Sequence, residues 1–207
     1  MTKKKTLLII FTIFFTSISF AQADILIGIN GGATYSNIRG NTLSDMGDAG
    51  FDFLIGGAAE FPISEKFSIK TNLNYERKSR SVNNPQFQNA EVRSTFSYLS
   101  LPVLAKYSFG SSNDFYINGG PFVAFLLNAK SKSDGFPSST FTDLNKTTDV
   151  GFSIGFGKRF NVSDQNYLDL EIRNNLGLVN ISAVEVIDDG TLKTNSLNLI
   201  LTYYFSL

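Results

Sequence analysis

Apolar and polar residues alternate along most of this chain, and this period of two predicts a protein built from β-strands. In residues 197–205 the odd positions are Leu, Leu, Leu, Tyr and Phe, while the even positions are Asn, Ile, Thr and Tyr. In residues 67–76 Phe, Ile, Thr, Leu and Tyr alternate with Ser, Lys, Asn, Asn and Glu. Each such strand has one apolar face and one polar face.

The alternation predicts eight strands, with no competing amphipathic helix. They lie at residues 24–36, 50–62, 67–76, 96–109, 115–128, 149–160, 167–181 and 197–205. The links between them alternate in length: residues 63–66, 110–114 and 161–166 are short, whereas residues 37–49, 79–94, 130–148 and 182–195 are longer and polar. Pro102 in the fourth strand cannot donate a ladder hydrogen bond, so we expect a bulge or local irregularity there.

Alternating short turns and long loops are typical of bacterial outer-membrane barrels. Within hydrocarbon a closed barrel is the only sheet that leaves no unpaired edge. The sequence therefore predicts an all-β fold, an eight-stranded antiparallel up-and-down transmembrane β-barrel. Both termini are expected in the periplasm and the long loops outside the cell. A soluble periplasmic sandwich or lipocalin-like barrel stays open as the alternative, because its strands also alternate.

The N-terminus has the pattern of an export signal. Lys3, Lys4 and Lys5 precede an apolar stretch, and small residues follow at Ser19 and Ala21. We predict a signal peptide at residues 1–21, with cleavage before Gln22 or, as the alternative, before Asp24, and a barrel domain at residues 22–207. A membrane anchor is disfavoured because the apolar stretch is shorter than the ~20 residues that a spanning helix needs.

Composition excludes several classes of function. Without residues 1–21 the chain has 15 basic and 18 acidic residues, a net charge of about −3, so it lacks the basic surface of a nucleic-acid-binding protein. It contains no His and no Cys. A Ser–His or Cys–His catalytic pair therefore cannot form. The segment Gly157-Lys158 lacks phosphate-loop spacing, because Phe152 stands where the first Gly belongs. We predict no catalytic residue, cofactor or metal ligand.

The polar faces of the predicted strands carry charges of both signs. An eight-stranded barrel is just wide enough for side chains to fill its interior. The residues predicted to form an ion-pair network in the lumen are Asp52, Glu60, Lys70, Glu76, Lys106, Arg159, Asp169, Glu171 and Arg173. We favour a salt-bridged plug, because unpaired buried charges are costly. A gated ion path or a ligand cavity is the alternative.

Three segments resemble the PorT-like outer-membrane β-barrel family. Residues 98–107, Tyr-Leu-Ser-Leu-Pro-Val-Leu-Ala-Lys-Tyr, are similar to a conserved strand of that family. Gly120-Pro121 resembles its Gly-Pro step, and Arg173 followed by residues 177–181 resembles its Arg-Tyr-x-x-Gly-Leu-x-Asn-Ile segment. Asn174 replaces the usual Tyr. The resemblance implies an integral outer-membrane protein, and one branch of the family assists protein secretion.

These observations predict a non-catalytic outer-membrane barrel with a structural or accessory role in the cell envelope, which includes assistance to protein secretion. A narrow channel and a surface-loop binding module are the alternatives. Tyr203 and Phe205 near the C-terminus are the predicted signal for the barrel assembly machinery. The expected partners are outer-membrane lipids, that machinery and other envelope or secretion proteins, with no nucleic acid.

Overall fold

Nine strands and one short 3-10 helix make up the computed structural model, which describes residues 25–40, 47–84, 90–112, 114–133, 135–184 and 190–206. The strands are β1 (Leu26–Arg39), β2 (Asp48–Pro62), β3 (Phe67–Asn84), β4 (Ala90–Phe109), β5 (Phe115–Ser133), β6 (Ser139–Thr140), β7 (Thr148–Ser163), β8 (Asn166–Gly177) and β9 (Lys193–Ser206). The 3-10 helix covers Thr142–Leu144. The predicted signal peptide lies outside the described residues.

Eight of these strands close into a barrel. Each pairs antiparallel with its neighbours in the order β4-β3-β2-β1-β9-β8-β7-β5, and β4 also pairs with β5. The first and last strands meet through fourteen residue pairs that run from Leu26 with Ser206 to Arg39 with Lys193. The short β6 adds only to the edge of β5. The predicted eight-stranded antiparallel up-and-down barrel is confirmed.

The pleat sorts side chains by polarity. Residues that point into the barrel are buried and mostly polar or charged, such as Lys70 and Asp169. Residues that point outward are exposed and apolar, such as Ile29 at 64% and Ile154 at 62% exposure. This arrangement is the inverse of a soluble barrel with an apolar interior, and it suits a lipid surround. Among the described residues, no helix is long and apolar enough to cross a membrane.

The two ends of the barrel differ. The turn end carries the short links at residues 63–66, 110–114 and 164–165 together with the start of β1 at Leu26 and the end of β9 at Ser206. The loop end carries the connections at residues 40–47, 85–89, 134–147 and 178–192, and all of these except 85–89 are longer than the turn-end links. Aromatic rings contact one another on the outer surface of the barrel at the turn end. The ring centres of Phe67 and Tyr107 lie 4.9 Å apart, and those of Phe109 and Phe115 lie 6.2 Å apart.

Several predicted strand limits were wrong at the loop end. The predicted loop 79–94 is largely a β-hairpin, because β3 and β4 pair as far as Asn84 with Ala90. Strand β5 continues to Ser133, and β9 begins at Lys193 rather than at residue 197. Strand β8 ends at Gly177 instead of residue 181. The added parts of β3, β4, β5 and β9 are mostly polar. The alternation of apolar and polar residues, from which the strands were predicted, therefore did not extend to them.

Pro102 brings the expected local irregularity but no bulge: neither Pro102 nor Leu101 has a partner in the β3–β4 pairing. The β3–β4 register is the same on both sides of it, with Thr71 opposite Val103 and Asn74 opposite Ser100. The carbonyl of Pro102 accepts a hydrogen bond from Thr71 Oγ1 at 2.8 Å. The register shift in β4–β5 lies at Ser97/Tyr98 instead. It leaves one extra residue in β5 and reverses the pleat of that strand beyond it.

Candidate functional site

The lumen at the turn end holds a cluster of charges around Glu60. Lys106 Nζ lies 2.9 Å from both carboxylate oxygens of Glu60. Arg159 donates from Nη2 to Glu60 at 2.7 Å and makes two bonds, of 2.7 and 2.9 Å, to Asp169. Ser68 Oγ also donates to Glu60, at 2.8 Å. Two carboxylates and two cations are thus held in fixed, charge-assisted geometry.

A second charged layer lies beside the first. Lys70 Nζ and Arg173 Nε each donate to a different oxygen of Glu171. Tyr116 Oη donates to the same carboxylate at 3.1 Å. Lys70 also lies 3.8 Å from Asp169, which joins the two layers. All of these side chains are buried, so the lumen is filled here by side chains in contact.

Glu76 is buried in the next layer, but it forms no ion pair with any residue that the structure describes. Its Oε1 atom accepts hydrogen bonds from Ser196 Oγ at 2.8 Å, Asn198 Nδ2 at 3.2 Å and Asn175 Nδ2 at 3.4 Å. The three donors to Oε1 are all neutral, so the predicted place of Glu76 in an ion-pair network was wrong.

Asp52 also departs from the predicted lumen set. Its carboxylate contacts Arg77 at 3.1 Å and Arg93 at 2.9 Å near the loop end. Arg77 belongs to the outward face of β3, since its neighbours Glu76 and Lys78 are the buried ones. The β2–β3 register shifts between Ala49 and Leu54, and this irregularity directs Asp52 away from the lumen.

Sequence reasoning missed one lumen pair, Lys78 with Asp149. Their charged atoms lie 3.6 Å apart, and both side chains are buried. Thr194 Oγ1 donates to Asp149 at 2.6 Å. Lys78 Nζ also lies 5.0 Å from the ring centre of Tyr98, within cation–π range. The alternation of faces along β3 could have revealed Lys78, because it lies two residues beyond Glu76 and therefore on the same inward face.

An apolar layer closes the lumen at the loop end. Its buried members are Ile38, Phe96, Tyr98, Phe122, Ala124, Leu126, Ala129 and Ile181, with Phe141 and Leu192 packed against them. Phe96 and Phe141 meet edge to face, with ring centres 5.5 Å apart. The connection after β5 bonds to the one after β8, for example from Lys146 N to Ile181 O at 2.7 Å. Phe141 thus belongs to a lid over the barrel mouth.

The remaining predicted residues, Tyr203 and Phe205, point outward at the turn end. Each side chain is partly exposed, and their ring centres lie 6.5 Å apart. Their predicted role in assembly stays a prediction. No group of three or more potential metal-ligating side chains occurs among the residues that the structure describes.

Comparisons with known proteins gave one family match and several similar solved structures. Residues 20–183 match the family described as "Outer membrane protein beta-barrel domain". No curated protein matches the chain in sequence. Similar solved structures include Ail, the attachment invasion locus protein of Yersinia pestis, which is 14% identical with a TM-score of 0.45 over 88% of this chain and 100% of that one.

Two further structures have similar values. Neisserial surface protein A is 12% identical, with a TM-score of 0.47 over 87% of this chain and 97% of that one. OprG from Pseudomonas aeruginosa is 12% identical, with a TM-score of 0.42 over 92% of this chain and 97% of that one. The family match covers most of the chain, from the start of the barrel into the loop after β8. The chain belongs to the outer membrane protein beta-barrel domain family.

Proposed function

We propose that this protein is a closed, non-catalytic barrel with an accessory role in the cell envelope. One observation carries the closed lumen: ion pairs cross its full width. Lys70 on β3 contacts Glu171 on β8, and Arg159 on β7 contacts Glu60 on β2. Each pair joins strands that lie four positions apart around an eight-stranded ring, so the two walls are opposite.

A conducting role is disfavoured for the same reason. A channel needs a continuous path on which ions bind weakly enough to leave. Here an ion would have to pass the buried Glu60 and Glu171 clusters and then the apolar layer around Phe96. The charged layers bind their own counter-charges within the protein. The lumen therefore acts as a structural plug that holds the wall in shape.

Bilayer conductance tests the closed lumen. The protein is reconstituted into planar bilayers, and insertion is verified by the shift in gel mobility on boiling that folded barrels show. We expect no ion steps from the wild type. Discrete steps in a preparation that passes the gel test would contradict the plug and favour the narrow channel.

The proposed orientation has the turn end in the periplasm and the loop end outside, as in other bacterial barrels. The natural chain has no Cys, so single-cysteine variants report one site each. Ser138 at the loop end and Ser112 at the turn end are both exposed. A membrane-impermeant maleimide should label Ser138→Cys on intact cells and Ser112→Cys only after permeabilisation. The reverse pattern would invert the topology.

The accessory role draws its support from the resemblance to PorT-like barrels, a family with a branch that assists protein secretion. Purification from native outer membranes in a gentle detergent tests it. Envelope or secretion proteins recovered in fixed stoichiometry would support an assembly component, with the loop end as the docking surface. A barrel recovered alone would instead favour a stand-alone surface-binding module.

A further inference from the structure

We propose that a cationic pocket on the outer wall of β3, β4 and β5 binds the phosphate groups of a phosphorylated lipid of the outer leaflet. The pocket has a volume of about 640 Å³ and is lined by Arg77, Arg93, Lys130 and Lys132, together with Asp52. The choice of leaflet rests on the proposed orientation of the barrel. The chemistry of the pocket does not depend on it.

The four cations share one face of the sheet. In the β4–β5 register Arg93 lies opposite Lys132, and Thr95 lies opposite Lys130. Phe96, which follows Thr95, and Ala129, which precedes Lys130, are buried inside the barrel. The register shift at Ser97/Tyr98 brings this about, because without the extra residue in β5 its lysines would point into the lumen. The bulge therefore builds the pocket.

Asp52 organises the two arginines. Its carboxylate oxygens lie 3.1 Å from Arg77 Nε and 2.9 Å from Arg93 Nη2, and its side chain is only 5% exposed. Arg93 Nη2 also donates to Ser79 Oγ at 3.1 Å. The arginine side chains remain 34% and 43% exposed, so their other N–H groups face the pocket. Planar guanidinium groups fixed in this way are suited to phosphate oxygens.

The two lysines are available for a ligand. Both are exposed, and neither Lys130 nor Lys132 forms an ion pair within the part of the chain that the structure describes. Four cations and Asp52 give the pocket a net charge of about +3. Among the described residues, Glu91 is the next acid on this face; it lies two residues beyond Arg93 and lowers the sum to about +2. An anionic ligand fits this balance.

The position of the pocket identifies the ligand as a lipid. Tyr75 lies two residues before Arg77 on the outward face, and its ring centre is 6.1 Å from that of Phe53. The Arg77 guanidinium lies 5.5 Å from the centre of the same Phe53 ring. Exposed apolar residues, among them Phe125 and Leu127, lie on the membrane side of the lysines. The cations thus stand where an apolar band ends, at the level of lipid headgroups.

The test measures binding of diphosphoryl lipid A to the protein purified from outer membranes, delipidated in detergent, by native mass spectrometry. Lys130→Gln/Lys132→Gln removes two exposed cations and should weaken binding roughly 30-fold, the effect of two cations at an anionic membrane surface. The matched control, Lys146→Gln/Lys193→Gln, removes two loop-end lysines outside the pocket and should change binding less than about threefold. Equal effects of the two double variants would overturn the site.

Two further ligands distinguish the source of the phosphate. Dephosphorylated lipid A should bind the wild type no better than it binds Lys130→Gln/Lys132→Gln, and full binding of it would overturn phosphate recognition. Inorganic phosphate at the same phosphate concentration should not displace the lipid, whereas displacement would make free phosphate the ligand. Loss of a co-purified protein in the double variant, with lipid binding intact, would replace the lipid by a protein partner.

Failure of the site is distinguishable from failure of the proposed orientation. Lipid binding in detergent does not depend on which side of the membrane the loop end faces. Ser138 lines the pocket, so orientation is read here from Ser112→Cys at the turn end, whose labelling does not depend on lipid binding. Binding that follows the lysines, together with labelling of Ser112→Cys on intact cells, would keep the pocket and assign it to the inner leaflet, which would overturn the outer-leaflet ligand.

Discussion

Lys70 and Glu171 form an ion pair across the barrel, from β3 to the opposite strand β8, and both side chains are fully buried. Two walls of the sheet are thereby joined through the lumen as well as around the ring. Burial removes both charges from water, so each depends on the other for its stabilisation. Arg173 and Tyr116 complete the environment of Glu171. The consequence is that single changes in this layer should be costly.

Lys70→Met should lower the free energy of unfolding by about 3–5 kcal/mol, because the buried Glu171 carboxylate then keeps only one of its two cationic partners, Arg173. The control is Lys158→Met, which removes a lysine from an exposed pair with Asp114 and should cost no more than about 1 kcal/mol. Urea unfolding in lipid vesicles, followed by circular dichroism since the chain has no Trp, measures both. Equal costs would contradict the buried pair.

The two central lumen glutamates should respond differently to the same change. Glu171→Gln removes a charge that pairs with Lys70 and Arg173, and should cost about 3 kcal/mol or more. Glu76→Gln keeps an oxygen that can accept from the neutral donors around it, and should stay within about 1 kcal/mol of the wild type. The midpoint of urea unfolding compares them. A larger loss for Glu76→Gln would mean that a cation supports this carboxylate.

The sequence predicts which face of each strand enters the lumen, because a one-residue slip would reverse a whole strand. The positions of Glu60, Lys70, Lys106, Arg159, Asp169, Glu171 and Arg173 follow from this rule. The rule fails at Asp52, where a register shift in β2–β3 breaks the alternation. Neither that shift nor the one at Ser97/Tyr98 has a recognisable residue pattern. The outward cationic pocket was therefore not predicted.

The partners of each charge were less predictable than its face. Which side chains meet across a lumen depends on strand tilt and stagger, which sequence alternation does not encode. Glu76 illustrates the gap: it lies on the predicted face, but its neighbours on β8 and β9 are neutral. Lys78 and Asp149 were missed since the predicted ion-pair set ended at Glu76 on β3 and omitted the first inward residue of β7.

Gly157 makes room for a lumen tyrosine. A Cβ atom at this position would lie 2.3 Å from the Tyr116 ring, whose hydroxyl donates to Glu171. Gly157→Ala should therefore destabilise the barrel by about 1–3 kcal/mol, as overpacking does. Gly57→Ala is the control, because the nearest atom to its Cβ is 3.8 Å away. Vesicle unfolding measures both, and equal tolerance would mean that Tyr116 moves aside without loss.

The lid at the loop end depends on Phe141. Its ring packs edge to face on Phe96, and its backbone N–H donates to Ala129 O at 2.9 Å. Phe141→Ala removes the ring contact and should speed protease cleavage within residues 135–147 by about tenfold, equivalent to roughly 1.4 kcal/mol of local stability. The shift in gel mobility on boiling should persist, because the barrel wall is unchanged.

Leu144→Ala is the matched control for the lid, because Leu144 lies in the same connection with its side chain 51% exposed. Its cleavage rate should stay near that of the wild type. Mass spectrometry of the fragments shows where the protease cuts. If Phe141→Ala and Leu144→Ala were cleaved equally fast, the Phe96 contact would not hold the lid. If Phe141→Ala also lost the gel shift, the apolar layer would support the barrel wall as well as the lid.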